Sequence, residues 1–179
     1  DGAAKADGFN LNVINLTLEK ALDEGAWSAG YKAELLLGPD SVAYNLSPGN
    51  TDGELALGDA YVALRAPIGN GLDFRIGSFG TVVGYEVFNA PSNPNYSRSY
   101  GWQLEPTQHT GVLASYQLTE NVGVSFGVAN TLGAGLNTQA ANGVGGETQK
   151  TYMSSVVFSA PESFGFLAGS TIYAGVVDG

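Results

Sequence analysis

Few side chains in this sequence could carry a reaction, and their spacing favours a charged surface over a catalytic centre. Histidine occurs once, at His109. A Ser–His–acid triad would have to use it; a polar residue at the start of a strand is the simpler reading. Cysteine is absent, which excludes disulfides and thiolate metal sites, and a single histidine leaves too few nitrogen ligands for a zinc-type site. Asp23 and Glu24 place two carboxylates together, as glycosidases do, but in a short predicted turn with no cleft to shift their pKa values apart. Gly133-Ala134-Gly135 and Gly143-Val144-Gly145-Gly146 are not followed by a helical pattern, so they read as loop and not as a phosphate cradle. We therefore expect no catalytic residue, no cofactor and no metal site, and a protein that is not an enzyme.

The remaining charges gain meaning from the elements that position them. The recurring signal is alternation with a period of two. Trp27, Ala29, Tyr31, Ala33, Leu35 and Leu37 fall on one face of an extended segment, and Ser28, Gly30, Lys32, Glu34 and Leu36 on the other. Leu72, Phe74 and Ile76 oppose Asp73, Arg75 and Gly77; Val112, Ala114, Tyr116 and Leu118 oppose Gly111, Leu113, Ser115 and Gln117; Val122, Val124, Phe126 and Val128 oppose Gly123, Ser125, Gly127 and Ala129. The pattern predicts strands near 9–19, 26–38, 54–67, 71–83, 108–118, 121–131, 150–160 and 164–176. In the first, alternation changes phase at Val13-Ile14, which a β-bulge would restore. The facing of the last is left open.

Composition narrows the setting of these strands. Charged residues make up 13% of the chain, about half the share in soluble domains, yet mean hydropathy is neutral at +0.02. Such a balance suits a surface half in lipid and half in water. Seventeen acids against seven bases give a formal charge of −10, which argues against nucleic acid, since phosphate binding needs clustered Lys and Arg. The opening Asp1–Gly8 segment carries no apolar signal-peptide core, consistent with a mature chain or an internal fragment. No apolar run is long enough for a transmembrane helix, so a membrane reading must be a β-barrel one.

The connections support that reading. Ala21–Gly25, Ile68–Gly71, Thr119-Glu120 and Pro161–Ser163 are short, and Asn70-Gly71 is a hairpin signal. Connections near 39–53, 84–107 and 132–149 are long. The short and long connections alternate strictly, as in up-and-down outer-membrane barrels. Trp27, Tyr116, Phe158 and Phe164 lie near the short turns, with Phe9 and Tyr152 near the opposite strand ends, as interfacial aromatic girdles require. The expected fold is all-β: one antiparallel, up-and-down transmembrane β-barrel domain spanning 1–179, or a fragment of one, with about eight strands. A basic side chain facing mid-bilayer lipid costs about 2–4 kcal/mol. With the apolar faces in lipid, Lys32, Glu34, Asp59, Arg65, Asp73 and Arg75 face the lumen with Tyr61. They either select solutes or simply keep the lumen wet by pairing with one another.

Residues 54–130 resemble the OmpL-like outer-membrane β-barrel porin family. The resemblance is carried by Asp59–Val62, Gly69–Leu72, Gly77–Glu86, Asn93–Tyr100 and His109–Val112. Gly77-Ser78-Phe79-Gly80-Thr81-Val82-Val83-Gly84-Tyr85-Glu86 and Asn93-Pro94-Asn95-Tyr96-Ser97-Arg98-Ser99-Tyr100 are the most specific stretches. Ser78 departs from a frequent basic residue and Val82 from a frequent proline, so local pore charge and loop geometry do not carry over. The resemblance implies a porin of the outer membrane of diderm (Gram-negative) bacteria, passing small hydrophilic solutes or ions by passive diffusion. It also implies outer-membrane lipids as partners and a homo-oligomer, as a trimer. Such porins are longer, and this sequence stops at Val177-Asp178-Gly179 like a loop edge, so a part of a larger barrel is expected.

The resemblance is densest over the long 84–107 segment. It carries Tyr85, Glu86, Phe88, Tyr96, Arg98, Tyr100, Trp102 and Glu105. Asn93-Pro94 reads as an N-cap followed by the first helical position, so a short helix is expected there. Glu86, Tyr96, Arg98, Tyr100, Trp102 and Glu105 are expected to form a constriction loop folded into the pore; packing against a neighbouring subunit is the alternative. Rivals for the whole chain are a secreted all-β binding module, a barrel enzyme using His109, and a barrel scaffold in a surface complex with a blocked lumen.

Overall fold

Alternating side chains become paired strands because an extended backbone must find its hydrogen bonds laterally. A computed structural model describes residues 9, 11–24, 26–38, 41, 55–95, 97–132 and 150–179. The eight strands are β1 (Ile14–Lys20), β2 (Ser28–Leu37), β3 (Leu55–Ala66), β4 (Leu72–Gly80), β5 (Gln108–Thr119), β6 (Val122–Ala129), β7 (Thr151–Ser159) and β8 (Thr171–Asp178). They form one antiparallel sheet in the order β1 to β8, each strand pairing with its neighbours in sequence. The fold is therefore all-β and up-and-down, as the alternation predicted. The sheet is not closed: β1 and β8 are its edges.

The register sorts side chains into two faces. Across β2–β3–β4, Lys32 pairs with Tyr61 and Tyr61 with Gly77; Tyr31 pairs with Val62 and Val62 with Ile76. The first set continues through Gly111, Ala129 and Thr151, the second through Val112, Val128 and Tyr152. The second face is bare. Exposed apolar side chains cover it from edge to edge, including Leu16 and Leu18 on β1, Val62 and Leu64 on β3, Phe126 on β6 and Ile172 and Val176 on β8. Its strand charges, Lys20 and Asp178, sit at strand ends.

The first face carries the core and the long 81–107 segment. Phe79, Leu113, Ala129 and Met153 are buried together, with Tyr61, Val82 and Val177 packed against them. Leu36 and Ala56 form a second cluster, covered by Phe88 from the long segment. Gly111 makes the close approach of β5 and β6 possible, since a Cβ there would collide with the Val128 carbonyl and Ala129 Cα.

Several boundaries differ from the sequence expectation. The first strand begins at Ile14, so the phase change at Val13-Ile14 lies outside it and no bulge is needed there. Register shifts occur instead opposite Ala33–Leu35 and at Gln117–Thr119. The turn at Pro161–Ser163 is longer than expected: a 3-10 segment, Glu162–Leu167, follows and delays β8 to Thr171. Gly165 (φ 60°) and Gly169 (φ 80°) supply the left-handed backbone that this compact connection requires. The connections near 39–53 and 132–149 lie almost wholly outside the described residues.

Gly111→Ala should destabilise the folded protein by about 2–3 kcal/mol, the upper range for single substitutions, because backbone rather than a movable side chain opposes the new methyl. Gly80→Ala, with nothing within 4 Å of the added carbon, should be neutral or slightly stabilising. Urea unfolding of both variants in detergent checks the pair; equal losses would contradict the assigned register.

Candidate functional site

Charged side chains of the strands gather on β1–β4 of the loop-bearing face. Glu19, Lys32, Glu34, Asp59, Arg65, Asp73 and Arg75 all belong to it, while the same face of β5–β8 offers Ser115, Ser125, Ser155 and glycines between its apolar residues. The Lys32 ammonium donates to Asp59 at 2.8 Å. Arg65 grips Asp73 with two hydrogen bonds, Nε to Oδ1 at 2.6 Å and Nη2 to Oδ2 at 2.7 Å. Bidentate pairs of this kind fix orientation as well as charge. Arg75 lies over the Tyr61 ring at 5.3 Å, a cation–π contact. Glu34 accepts from Asn15 Nδ2 and from the Asp59 N–H.

A bulge makes this arrangement possible. Between Ala33 and Leu35, β2 advances two residues while β3 advances three, from Ala60 to Leu57. The extra residue turns Asp59 to the loop-bearing face beside Lys32, while Leu57 and Ala60 both stay on the bare one. The sequence held the signal: Leu55 and Leu57 fall in odd phase, Ala60, Val62 and Leu64 in even phase. The change from odd to even phase, not either set alone, marks the bulge.

The 81–107 segment is stitched to itself and to the sheet. At its neck, Thr81 N–H donates to the Thr107 carbonyl at 3.1 Å, and His109 Nε2 lies 3.2 Å from Thr81 Oγ1. His109 is thus a buried strut near the start of β5. Above the neck, Glu86 accepts from the Ser99 N–H and hydroxyl. Arg98 Nη2 donates to the Val87 and Phe88 carbonyls at 2.9 and 3.0 Å and stacks over Trp102. Phe88 meets Trp102 edge-on at 4.9 Å and packs on Leu36 and Ala56 of the wall. At the other side, a Cβ on Gly175 of β8 would touch Val82 and Val83, so the segment reaches both halves of the sheet.

The helix in this segment, α1 (Tyr100–Leu104), differs from the expected one. Ser99 caps it, accepting from the Trp102 N–H at 3.3 Å. Asn93 caps no helix; its amide folds back to Val87 and Asn89. A five-residue helix containing Gly101 leaves little propensity signal, and no Glu or Gln stands at the third position to complete a capping box. Among the expected constriction residues, Glu86, Arg98 and Trp102 come together. Tyr100 is largely exposed, Glu105 lies against Gly84, and Tyr96 lies outside the described residues.

Between the segment and β1–β3 lies a gap of about 500 Å³, lined by Glu19, Lys32, Glu34, Asp59, Glu86 and Trp102 among others. Arg65, Asp73 and Arg75 do not line it. Gly123-Val124-Ser125-Phe126-Gly127 spells the nucleophile motif Gly-x-Ser-x-Gly, but inside β6, with Ser125 Oγ 2.9 Å from Ser115 Oγ. A nucleophile elbow needs a strand-to-helix turn, and here the Ser sits mid-strand.

An up-and-down antiparallel sheet with one apolar face, one partly charged face and a long segment laid across the latter is consistent with a β-barrel porin, although the sheet is not closed. The chain belongs to the family described as Putative beta-barrel porin-2, OmpL-like, whose model matches residues 2–173. Comparison with curated proteins and with solved structures gives no match.

The Glu86 stitch is pH-sensitive. Hydrogen bonds from the Ser99 hydroxyl, then its N–H, and the Arg98 charge hold the carboxyl below the ordinary glutamate value of 4.5. A depressed value means the stitch contributes fully above 4.5 and is lost as pH falls through the depressed value. In a Trp27→Phe background, Trp102 emission should change with an acid midpoint below 4.5. Ser99→Ala should move that midpoint upward; an unchanged midpoint would mean that Ser99 does not hold Glu86.

Proposed function

We propose that this protein is an outer-membrane porin that lets small hydrophilic solutes or ions diffuse passively, with no reaction and no cofactor. The observation that carries the proposal is the division of faces. Apolar side chains cover the bare face on all eight strands, and each of fourteen, Leu64 and Ile172 among them, leaves at least 40% of its surface exposed. Soluble monomers rarely expose apolar patches beyond about 300–600 Å². In hydrocarbon the same face is at rest, and the charged face then belongs against water. Lys32, Glu34, Asp59, Arg65, Asp73 and Arg75 line that water path, and the 81–107 segment narrows it. Open strand edges are costly in lipid, so the working form pairs the outer edges of β1 and β8.

The face assignment gives a direct test. Val62→Lys, in mid-strand on the bare face, should lower stability in bilayers by about 2–4 kcal/mol. Ser155→Lys, on the opposite face, should cost far less. Equal costs would remove the membrane reading and favour a secreted binding module.

Conduction tests the function itself. Protein inserted into planar bilayers should give ohmic current steps, and Phe88→Ala, which unpins the segment from Leu36 and Ala56, should give larger or noisier steps. Stable insertion without current would replace diffusion by a scaffold role.

A further inference from the structure

We infer that the gap between the 81–107 segment and β1–β3 passes small cations in preference to anions; this rests on the porin reading above. Four carboxylates line the gap: Glu19, Glu34 and Asp59 from the wall and Glu86 from the opposite side. Lys32 is the one base lining it among the described residues, and its charge is spent on Asp59 at 2.8 Å. Arg65 is bidentate to Asp73 and Arg75 lies over Tyr61, both outside the lining. Arg98 donates to the Val87 and Phe88 carbonyls but keeps its charge close to Glu86, so the four carboxylates meet two cations, Lys32 and Arg98, and a net negative excess remains.

The arrangement is fixed and two-sided. Phe88 seats the segment on β2 and β3, and Ser99 holds Glu86 from its own side. Glu86 therefore faces the wall carboxylates across the gap and cannot swing away freely. Its carboxyl is ionised at neutral pH, and hydrogen bonds from Ser99 with the Arg98 charge lower its pKa further. A net excess of fixed negative charge along the gap attracts counter-ions and repels co-ions. No resident ion is needed; selectivity arises from the uncompensated charge alone.

The test is the zero-current potential of the full chain in a planar bilayer under a potassium chloride gradient. The expected sign is that of potassium permeation, with a potassium-to-chloride permeability ratio several-fold above one. The preference should fade as salt rises from about 0.1 M to about 1 M, where the screening length falls from about 10 Å to about 3 Å. The double variant Glu19→Gln/Glu34→Gln should lower the ratio toward one. Glu162→Gln, a single neutralisation on the exposed β7–β8 connection away from the gap, should leave it unchanged. Should the double variant fail to insert, the salt dependence of the native chain decides. A conducting pore with a ratio of one, or one favouring chloride, overturns the cation preference and leaves the porin reading standing. Absence of current overturns both.

Discussion

Lateral hydrogen bonding of extended backbone is the constraint on which this structure depends. Once a strand finds its partners on both sides, its side chains can point only up or down, in strict alternation. The pairings keep that parity, apart from register shifts opposite Ala33–Leu35 and at Gln117–Thr119. A slip of one residue in the β2–β3 or β3–β4 pairing would carry Lys32 or Arg75 into the apolar face and Val62 or Ile76 out of it. Burial of backbone polar groups and the sorting of charge are therefore one problem with one solution.

The two faces do different work. The bare face is uniform, as a surface meeting hydrocarbon should be. The other is divided between a charged half on β1–β4 and a half of small, hydroxyl and apolar side chains on β5–β8, where Phe79, Leu113, Ala129 and Met153 close up. The pairings Lys32–Asp59 and Arg65–Asp73 neutralise most of the wall's cations. Around the gap beside the long segment, four carboxylates outnumber Lys32 and Arg98.

Much of this was legible in the residues. Alternation from Trp27 to Leu37 and from Leu72 to Gly77 placed the strands and their facing, because burial on one face leaves a period-two trace. The short turn at Ile68–Gly71 showed itself in its glycines, and in the fold Gly69 takes φ 58°. The interior of the 81–107 segment was not legible. Glu86 and Ser99 are thirteen residues apart, and nothing local couples them. Helix α1 is too short to leave a periodic signal, whereas the Asn93-Pro94 pair offers a familiar capping pattern that the fold uses for a different bend. The Pro161 turn misled for a similar reason: Phe164, Phe166 and Leu167 look like strand residues, yet they crown an exposed 3-10 connection.

The long segment leaves the sheet at its middle, between β4 and β5, yet it rests on β2 and β3 at one side and reaches Gly175 of β8 at the other. It thus behaves as a strap laid across the sheet, with footholds near both of its edges. Both footholds exist only when β2, β3 and β8 belong to one sheet. Loss of β8 would remove one of these footholds and leave the Phe88 seat on Leu36 and Ala56 in place.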